Sequence, residues 1–127
     1  MRPSIVTFLT TVLDAEAARQ RDPFNQWHTR DCDAVPDVLY PDRETGACDC
    51  GVPEQVLADI EAKQELLKLH SAVILRGGAG ARYFDTTAVC SSCEPPQLAE
   101  HAFPCKTLRR LAQPYAGRPG YEESWRP

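Results

Sequence analysis

Apolar side chains recur at helical spacing in two long stretches of the chain. The first stretch forms one apolar stripe, made of Ile5, Phe8, Leu9, Val12 and Leu13. Ser4 precedes this stripe and is a favourable N-cap, so the pattern predicts a helix over residues 4–20. The second stretch begins at Pro53, a residue suited to a first helical turn, and its periodicity predicts a long helix over residues 53–75.

The rest of the chain lacks this long periodicity. Residues 23–51 are punctuated by Pro, Asp and Arg and contain one short candidate strand at 37–40. Residues 83–127 begin with a short strand or hairpin pattern, and a third helix is predicted to start at Phe103-Pro104-Cys105. Its inner side is formed by Leu108, Leu111 and Ala112. Aromatic residues at 115, 121 and 125 are expected to hold the tail onto the rest of the chain.

These elements predict an α-rich fold, with a small α+β fold as the alternative, in which about three helices are joined by irregular loops. A chain of 127 residues is one domain's worth of sequence, so we expect a single domain over residues 1–127. Eleven prolines and seven glycines imply long irregular connections that apolar burial alone does not hold. Since six cysteines are available to fix them, the loops are predicted to be pinned by zinc.

Three cysteines in the C-terminal half have metal-ligand spacing. Cys90 and Cys93 are separated by two residues, which lets both sulfurs point at one ion, and Cys105 follows on a later element. A structural zinc takes four tetrahedral ligands, so one more donor is needed. His70, on the apolar stripe of the second predicted helix, is the favoured fourth ligand, and His101 is the alternative. An iron–sulfur cluster is less favoured, because such clusters are more often held by cysteine alone. The set that contains His70 is named the C-terminal cluster below.

A second candidate site has the pattern His-x3-Cys-x15-Cys-x-Cys. Its members, named the N-terminal cluster below, are His28, Cys32, Cys48 and Cys50. Cys-x-Cys is a weaker signal than Cys-x2-Cys, because an extended chain holds its two side chains about 6.6 Å apart unless the backbone turns. Gly46 and Gly51 can supply that turn. The sequence therefore predicts one zinc ion and leaves a second open, with free thiols or a disulfide of Cys32 as the alternatives.

The formal net charge is −4, and the acidity is N-terminal. Residues 1–50 hold five Lys/Arg against nine Asp/Glu, whereas residues 51–127 hold nine of each. A general nucleic-acid binder normally has a basic excess, so this balance argues against that role except through a local patch. The first residues lack a signal-peptide pattern, and no window is apolar enough to span a membrane. We therefore expect a cytoplasmic protein with no membrane partner, in a compartment that keeps thiols reduced.

No catalytic constellation accompanies the cysteines. The sequence lacks a His-Glu-x-x-His motif, the paired motifs of zinc deaminases and a serine nucleophile elbow, so an enzyme is the less favoured class. The leading expectation is a zinc-stabilised module that binds a protein partner. The first alternative is a nucleic-acid-binding regulator that uses a basic face of the third helix, formed by Lys106, Arg109, Arg110 and Arg118. The second alternative is a metal-dependent hydrolase with an open coordination position.

Three segments resemble a known family. They are the N-terminal Val6-Thr7-Phe8-Leu9, the stretch over residues 56–63, and the ending that runs from Pro104-Cys105-Lys106 to Trp125-Arg126-Pro127. Together they resemble, over roughly two thirds of the chain, a family of uncharacterised small proteins from actinobacteria and their phages, a domain of unknown function. The resemblance implies a phage or mobile-element origin, a cytoplasmic setting and no established activity, and it includes the C-terminal cluster. The segment from Cys32 to Cys50 departs from the family pattern.

Overall fold

The regular elements are three helices and one small antiparallel sheet within residues 4–74, 88–93 and 102–127, which the computed structural model describes. In chain order they are helix α1 (Ile5–Arg21), helix α2 (Val52–Leu69), strand β1 (Ala72–Ile74), strand β2 (Ala88–Cys90) and helix α3 (Lys106–Ala112). Two short 3-10 turns follow, at Gln113–Tyr115 and Glu123–Trp125. The predicted α-rich fold with a minor β component and irregular loops is confirmed. Within the described part of the chain, no helix is long and apolar enough to cross a membrane.

Contact density divides the chain into two compact units. The first comprises residues 1–12 and 63–127, and the second comprises residues 13–62. Both α1 and α2 contribute residues to each unit, because the boundaries fall inside these helices. The single domain expected from the sequence stays a prediction.

Helix α1 begins as the sequence predicts. The Oγ of Ser4 accepts a hydrogen bond from the backbone N–H of Thr7 at 3.2 Å, which satisfies one of the unpaired donors of the first turn. At the other end of the helix, the fully buried Gln20 side chain accepts a hydrogen bond from the backbone N–H of Trp27. This bond turns the chain back towards the helix that it has just left.

The core of the first unit combines α1, α3 and the C-terminal tail. Its buried members include Phe8, Leu9, Leu108 and Trp125, together with the sulfurs of Cys90 and Cys105. The ring of Phe8 lies 5.3 Å from that of Trp125, and Tyr121 completes the group at 5.5 Å from Trp125. Such tilted and edge-on pairs add to the free energy of apolar burial. The prediction that aromatic residues hold the tail is therefore confirmed.

The second unit has a smaller core. It consists of Leu13, Ala17 and Ile60, against which the partly buried Val56 and Leu57 pack. All five residues lie on α1 or α2. The irregular segment between the two helices contributes no residue to this core.

The predicted helix over residues 53–75 is wrong at its end, because α2 stops at Leu69. Residues 72–74 instead form β1, which pairs antiparallel with β2 in the register Ala72 with Cys90 and Val73 with Val89. Apolar periodicity alone cannot separate a helical ending from a short strand. The deciding interaction is the hydrogen bonding to β2, which is remote in sequence and therefore invisible to a local pattern.

Two other sequence expectations are corrected. No strand forms at 37–40, because Asp37 forms local hydrogen bonds with the backbone that a strand would need for its partner. Its carboxylate accepts a hydrogen bond from the N–H of Leu39, and its carbonyl accepts one from the N–H of Tyr40. Pro104 is not helical, since α3 starts at Lys106 with Cys105 as its N-cap, and the Phe103–Pro104 peptide bond is cis. The hairpin pattern expected from residue 83 lies outside the described residues up to Thr87.

Candidate metal centres

The C-terminal cluster is assembled by the small sheet and the start of α3. His70 is the first residue after α2, Cys90 ends β2, Cys93 follows in a bend, and Cys105 is the N-cap of α3. The pairing of Ala72 with Cys90 brings the residues just before β1 alongside those just after β2. Strand β2 also forms a bridge on its other side, from Val89 to Ala102, and this bridge brings the approach to Cys105 next to Cys90.

All four ligand atoms of the C-terminal cluster lie within 4.8 Å of one another. The Nδ1 of His70 is 3.1 Å from the Sγ of Cys90 and 3.6 Å from the sulfurs of Cys93 and Cys105. Cys90 is 2% exposed and Cys105 is 0% exposed, so two of the four donors belong to the apolar core. The structure therefore brings together the favoured ligand set, whereas the alternative ligand His101 lies outside the described residues.

Serine hydroxyls fix the chain on both sides of His70. The hydroxyls of Ser91 and Ser92 both donate to the carbonyl oxygen of Leu69, and the hydroxyl of Ser91 also lies 3.0 Å from that of Ser71. The backbone N–H of Ser91 donates to the carbonyl of Ser71 at 2.8 Å. These contacts tie the Cys90-Ser-Ser-Cys93 turn to the end of α2 and so fix the position of His70. The hydroxyls of Ser91 and Ser92 also satisfy the last carbonyl oxygen of the helix.

The N-terminal cluster lies wholly in the irregular segment before α2. The Nδ1 of His28 is 3.5 Å from the Sγ of Cys32, 3.4 Å from that of Cys48 and 3.5 Å from that of Cys50. The sulfur of Cys48 is 3.7 Å from those of Cys32 and Cys50. Cys32 is buried, Cys50 and His28 are half-buried, and Cys48 is exposed. Both four-residue sets expected from the sequence are thus brought together in space.

The separations in the N-terminal cluster match the edges of a zinc tetrahedron, whereas the contact of His70 with Cys90 in the C-terminal cluster is shorter, at 3.1 Å. Zinc bound to sulfur at about 2.3 Å and to nitrogen at about 2.0 Å would place two sulfurs about 3.8 Å apart and a sulfur about 3.5 Å from a nitrogen. The N-terminal cluster fits these values at five measured edges, from 3.4 to 3.7 Å. The N-terminal cluster, which has the weaker sequence signal, therefore has the more regular geometry.

A turn and three hydrogen bonds shape the N-terminal cluster. Gly51 has φ +70°, and this left-handed turn lets the backbone N–H of Val52 point at the sulfur of Cys50, 3.5 Å away. The carboxylate of Asp49 accepts the backbone N–H of Asp33 at 2.9 Å, and the carbonyl of Asp33 accepts the N–H of Gly46 at 2.9 Å. The turn after Cys32 is thereby tied to the stretch that carries the other two cysteines.

Neighbouring donors set the ionisation of the C-terminal thiols. Burial raises the pKa of Cys90, but the backbone N–H of Ser92 and the His70 ring donate to its sulfur, and its pKa falls to about 7. Burial, together with the hydrogen bond to Cys90 and the charge of Cys105, raises the pKa of Cys93 to about 12. Cys90 therefore forms a thiolate easily, whereas a second thiolate at Cys93 is disfavoured. A bound cation removes this conflict, since it stabilises several thiolates at once.

The N-terminal cluster also contains one thiol that ionises readily. Desolvation raises the pKa of Cys50, but the backbone N–H groups of Val52 and Thr29 donate to its sulfur and bring the pKa to about 7. The carboxyl group that ties the loop is held in its charged form as well, because the N–H of Asp33 lowers the pKa of Asp49. Amide donors around sulfur are the outer contacts that orient metal-binding thiolates.

Replacing Gly51 with Ala is expected to strain the turn beside Cys50. No atom lies within 4 Å of the added Cβ, so the cost comes from the positive φ alone and is about 1 kcal/mol. That cost would lower the affinity of the N-terminal cluster for a metal ion about fivefold. A competition titration with a chromogenic chelator measures this change.

Gly117→Ala is the matched control for this substitution. The position also leaves the added Cβ without a neighbour within 4 Å, but its φ is not positive. We expect unchanged metal affinity and unchanged or slightly increased stability in this variant. Equal affinities of the two variants would contradict the assigned role of the Gly51 turn.

Three of the four basic residues expected on the third helix have exposed side chains, and the fourth is half-buried. Arg109 is half-buried, and its Nε is buried without a hydrogen-bond partner. Arg110 donates to the side chain of Gln113, and the guanidinium of Arg118 lies 5.7 Å from the ring centroid of Tyr115. Lys106 is exposed.

The contacts of Asp49, Ser91 and Ser92 were not predicted from the sequence. An Asp between two candidate cysteines and a Ser pair inside Cys-x2-Cys are the signals that could have suggested them.

Comparison with protein families gives a match over almost the whole chain. The model of a family described as a family of unknown function (DUF6221) matches residues 2–127. The match is longer than the two thirds expected from the resemblance, and it spans the segment from Cys32 to Cys50. Neither a curated protein nor a solved structure matches the chain.

Proposed function

Because the chain belongs to the family of unknown function DUF6221, whose description names no activity, we propose a function from the two clusters themselves. The protein is an interaction module in which each unit is held by one structural zinc ion. His70, Cys90, Cys93 and Cys105 bind the first ion, and His28, Cys32, Cys48 and Cys50 bind the second. The zinc ions stabilise the fold, and the surface that they hold in place binds a protein partner.

The observation that carries this proposal is the burial pattern of residues 22–50. This stretch of 29 residues contains neither helix nor strand, and Cys32 is its single buried residue. A segment without a core cannot offset the conformational entropy lost when its backbone is ordered, unless a metal or a disulfide supplies the difference. Its four donors, spaced as the edges of a zinc tetrahedron, supply that missing stabilisation.

The donor set favours structural zinc over the other metal chemistries. Each cluster offers three thiols and one imidazole, a set used by closed four-ligand zinc sites. Iron–sulfur clusters are more often held by cysteine alone. A catalytic zinc keeps one position for water and uses three protein ligands, so four available donors at each centre also favour a structural role over a hydrolase.

The nucleic-acid alternative receives less support. Arg109 is half-buried, so Lys106, Arg110 and Arg118 are the exposed cations of this region, a small patch on a chain whose net charge is −4 and whose N-terminal half is acidic. Phosphate binding depends on exposed Lys and Arg side chains that displace counterions. We therefore propose that the partner is a protein in the cytoplasm. As the resemblance implies, the chain itself is then a phage or mobile-element factor that acts on a host protein.

Metal content tests the zinc assignment. Protein purified without chelator is expected to contain two zinc ions per chain by atomic emission, one for each cluster. Cys48→Ser and Cys93→Ser should each lower the content to one, whereas Thr29→Ser, next to a ligand but not one itself, should keep both. Metal-free protein with a cooperative unfolding transition would overturn the assignment. Bound iron with visible absorption would overturn it in favour of an iron–sulfur cluster.

A further inference from the structure

The irregular segment between α1 and α2 exposes large apolar side chains. Phe24 is 95% exposed, Val38 is 92% exposed and Leu39 is 81% exposed, and Trp27 and Val35 are also exposed. Single exposed apolar residues are common on protein surfaces, but a concentration of them within one short segment marks an interaction site. Here the concentration lies in the segment that has no core of its own.

Two grooves adjoin on this loop. The first, of about 490 Å³, is mainly apolar and is lined chiefly by Pro23, Phe24, Trp27, Ala34, Val35 and Pro36. The second, of about 420 Å³, is mainly polar and is lined by the acidic residues Asp33, Asp37 and Glu44 as well as by Arg43. Val35 lines both grooves, so the apolar surface continues directly into the acidic one.

The charge of the segment complements a basic partner. Residues 22–50 contain seven Asp/Glu and two Lys/Arg, a difference of five negative charges. Such a field attracts cationic segments and repels nucleic acid and anionic membrane surfaces. An apolar groove that continues into an acidic groove therefore fits a chain that carries both kinds of side chain in the same order.

We infer that the two grooves form the docking surface for a segment of a partner protein in which large apolar side chains stand next to Lys or Arg. The apolar side chains fill the groove at Phe24 and Trp27, and the cationic side chains reach the groove at Asp37 and Glu44. The inference rests on the proposed function, because the zinc ion at the N-terminal cluster holds the loop in its binding shape. A loop ordered in advance binds more tightly, since less conformational entropy is lost on association.

Selection from a random peptide library displayed on phage tests the surface. The zinc-loaded full chain is the bait, and enriched peptides are expected to combine aromatic or aliphatic residues with Lys or Arg. In fluorescence-polarisation titrations of one enriched peptide, Phe24→Ser and Val35→Ser should each weaken binding about tenfold. Phe24 is almost fully exposed, so its substitution leaves folding and zinc content unchanged, and both are measured on the same sample.

Matched controls isolate the loop. Val6→Ser changes the same residue type as Val35→Ser at nearly the same exposure, 36% against 38%, but outside the loop, and should not affect binding. Glu44→Lys should weaken binding most at low salt, whereas Glu61→Lys, on an exposed position of α2 and with the same change of net charge, should not.

Several results would overturn the docking surface. The selection could enrich no peptides, or only peptides without basic residues. The Phe24→Ser and Val6→Ser variants could bind an enriched peptide equally well. The chain could also form a dimer that Phe24→Ser dissociates, which would make the occupant a second copy of the chain. Any of these results in a protein that retains both zinc ions refutes this inference and leaves the zinc-held fold standing. Conversely, a zinc-free chain that still binds such peptides through Phe24 refutes the role of zinc in holding the loop and leaves the docking surface standing.

Discussion

In the Cys105→Ser variant, we expect the C-terminal cluster to lose its zinc ion and α3 to unfold with the C-terminal tail. Cys105 is fully buried in the core that contains Leu108 and Trp125, so in the proposed site its sulfur is both a ligand and a packed side chain. The binding free energy of a structural zinc is about 10–16 kcal/mol and is gained only on folding. Since a serine hydroxyl does not replace a thiolate ligand, we expect a loss of about 5 kcal/mol or more, comparable to the total stability of many domains.

The fluorescence of Trp125 reports this loss. Because the chain has two tryptophans, the urea titration is done in a Trp27→Phe background. Ala112→Ser is the control: Ala112 is also 0% exposed in the same core, and the substitution adds a hydroxyl without removing a ligand. That variant should keep both zinc ions at a cost of about 1–3 kcal/mol. If Cys105→Ser kept its metal, or lost no more stability than Ala112→Ser, the C-terminal zinc site would be wrong.

The Cys32→Ser variant should lose the order of residues 22–50 while the core of the first unit is preserved. Cys32 is the one buried residue of this segment, and it contacts both His28 and Cys48. Without the metal, nothing in the segment offsets the entropy of its backbone. Trypsin cleaves after Lys and Arg, and the segment contains Arg30 and Arg43, both exposed. Cleavage at these positions tracks the population of the open loop and should accelerate at least about tenfold.

Ala34→Ser serves as the control for the loop. It changes a half-buried neighbour of Cys32, adds the same hydroxyl group and removes no ligand, so both tryptic sites should be cut at the unsubstituted rate. The readout also separates the two units, because Trp125 fluorescence should stay unchanged in Cys32→Ser. Slow cleavage in a Cys32→Ser chain that has lost one zinc ion would mean that the loop is held by something other than the metal.

Ligand chemistry was predictable from the sequence to a greater extent than the local backbone. The donors were identified because Cys-x2-Cys and a helical histidine are local signals, and the structure does bring His70 to Cys90, Cys93 and Cys105. The conformation around His70 was predicted wrongly, since the apolar residues after it suit either a helix or a strand. The pairing of Ala72 with Cys90 is a contact across 18 residues, and no local periodicity contains it.

For the N-terminal cluster, the sequence predicted the ligand set only weakly. Its Cys-x-Cys signal was weak because an extended chain would separate the two sulfurs, but the backbone around them is irregular and the sulfurs lie 3.7 Å apart. The candidate strand at 37–40 failed for a related reason: Asp37 satisfies the backbone of the next residues and leaves no ladder for a partner strand. Both outcomes depend on how short polar residues and glycine bend the chain, which spacing alone does not reveal.

A loop whose one buried side chain is a proposed metal ligand has unusual freedom to diversify. In most folds, amino-acid exchange is limited by core positions, where a change of even one methylene is costly. Between His28 and Cys50 that limit applies to the ligands, to Gly51 beside them and to the hydrogen bond from Asp33 to Asp49. Other side chains of the segment can be exchanged without disturbing a core, so a single zinc frame can present different recognition sequences.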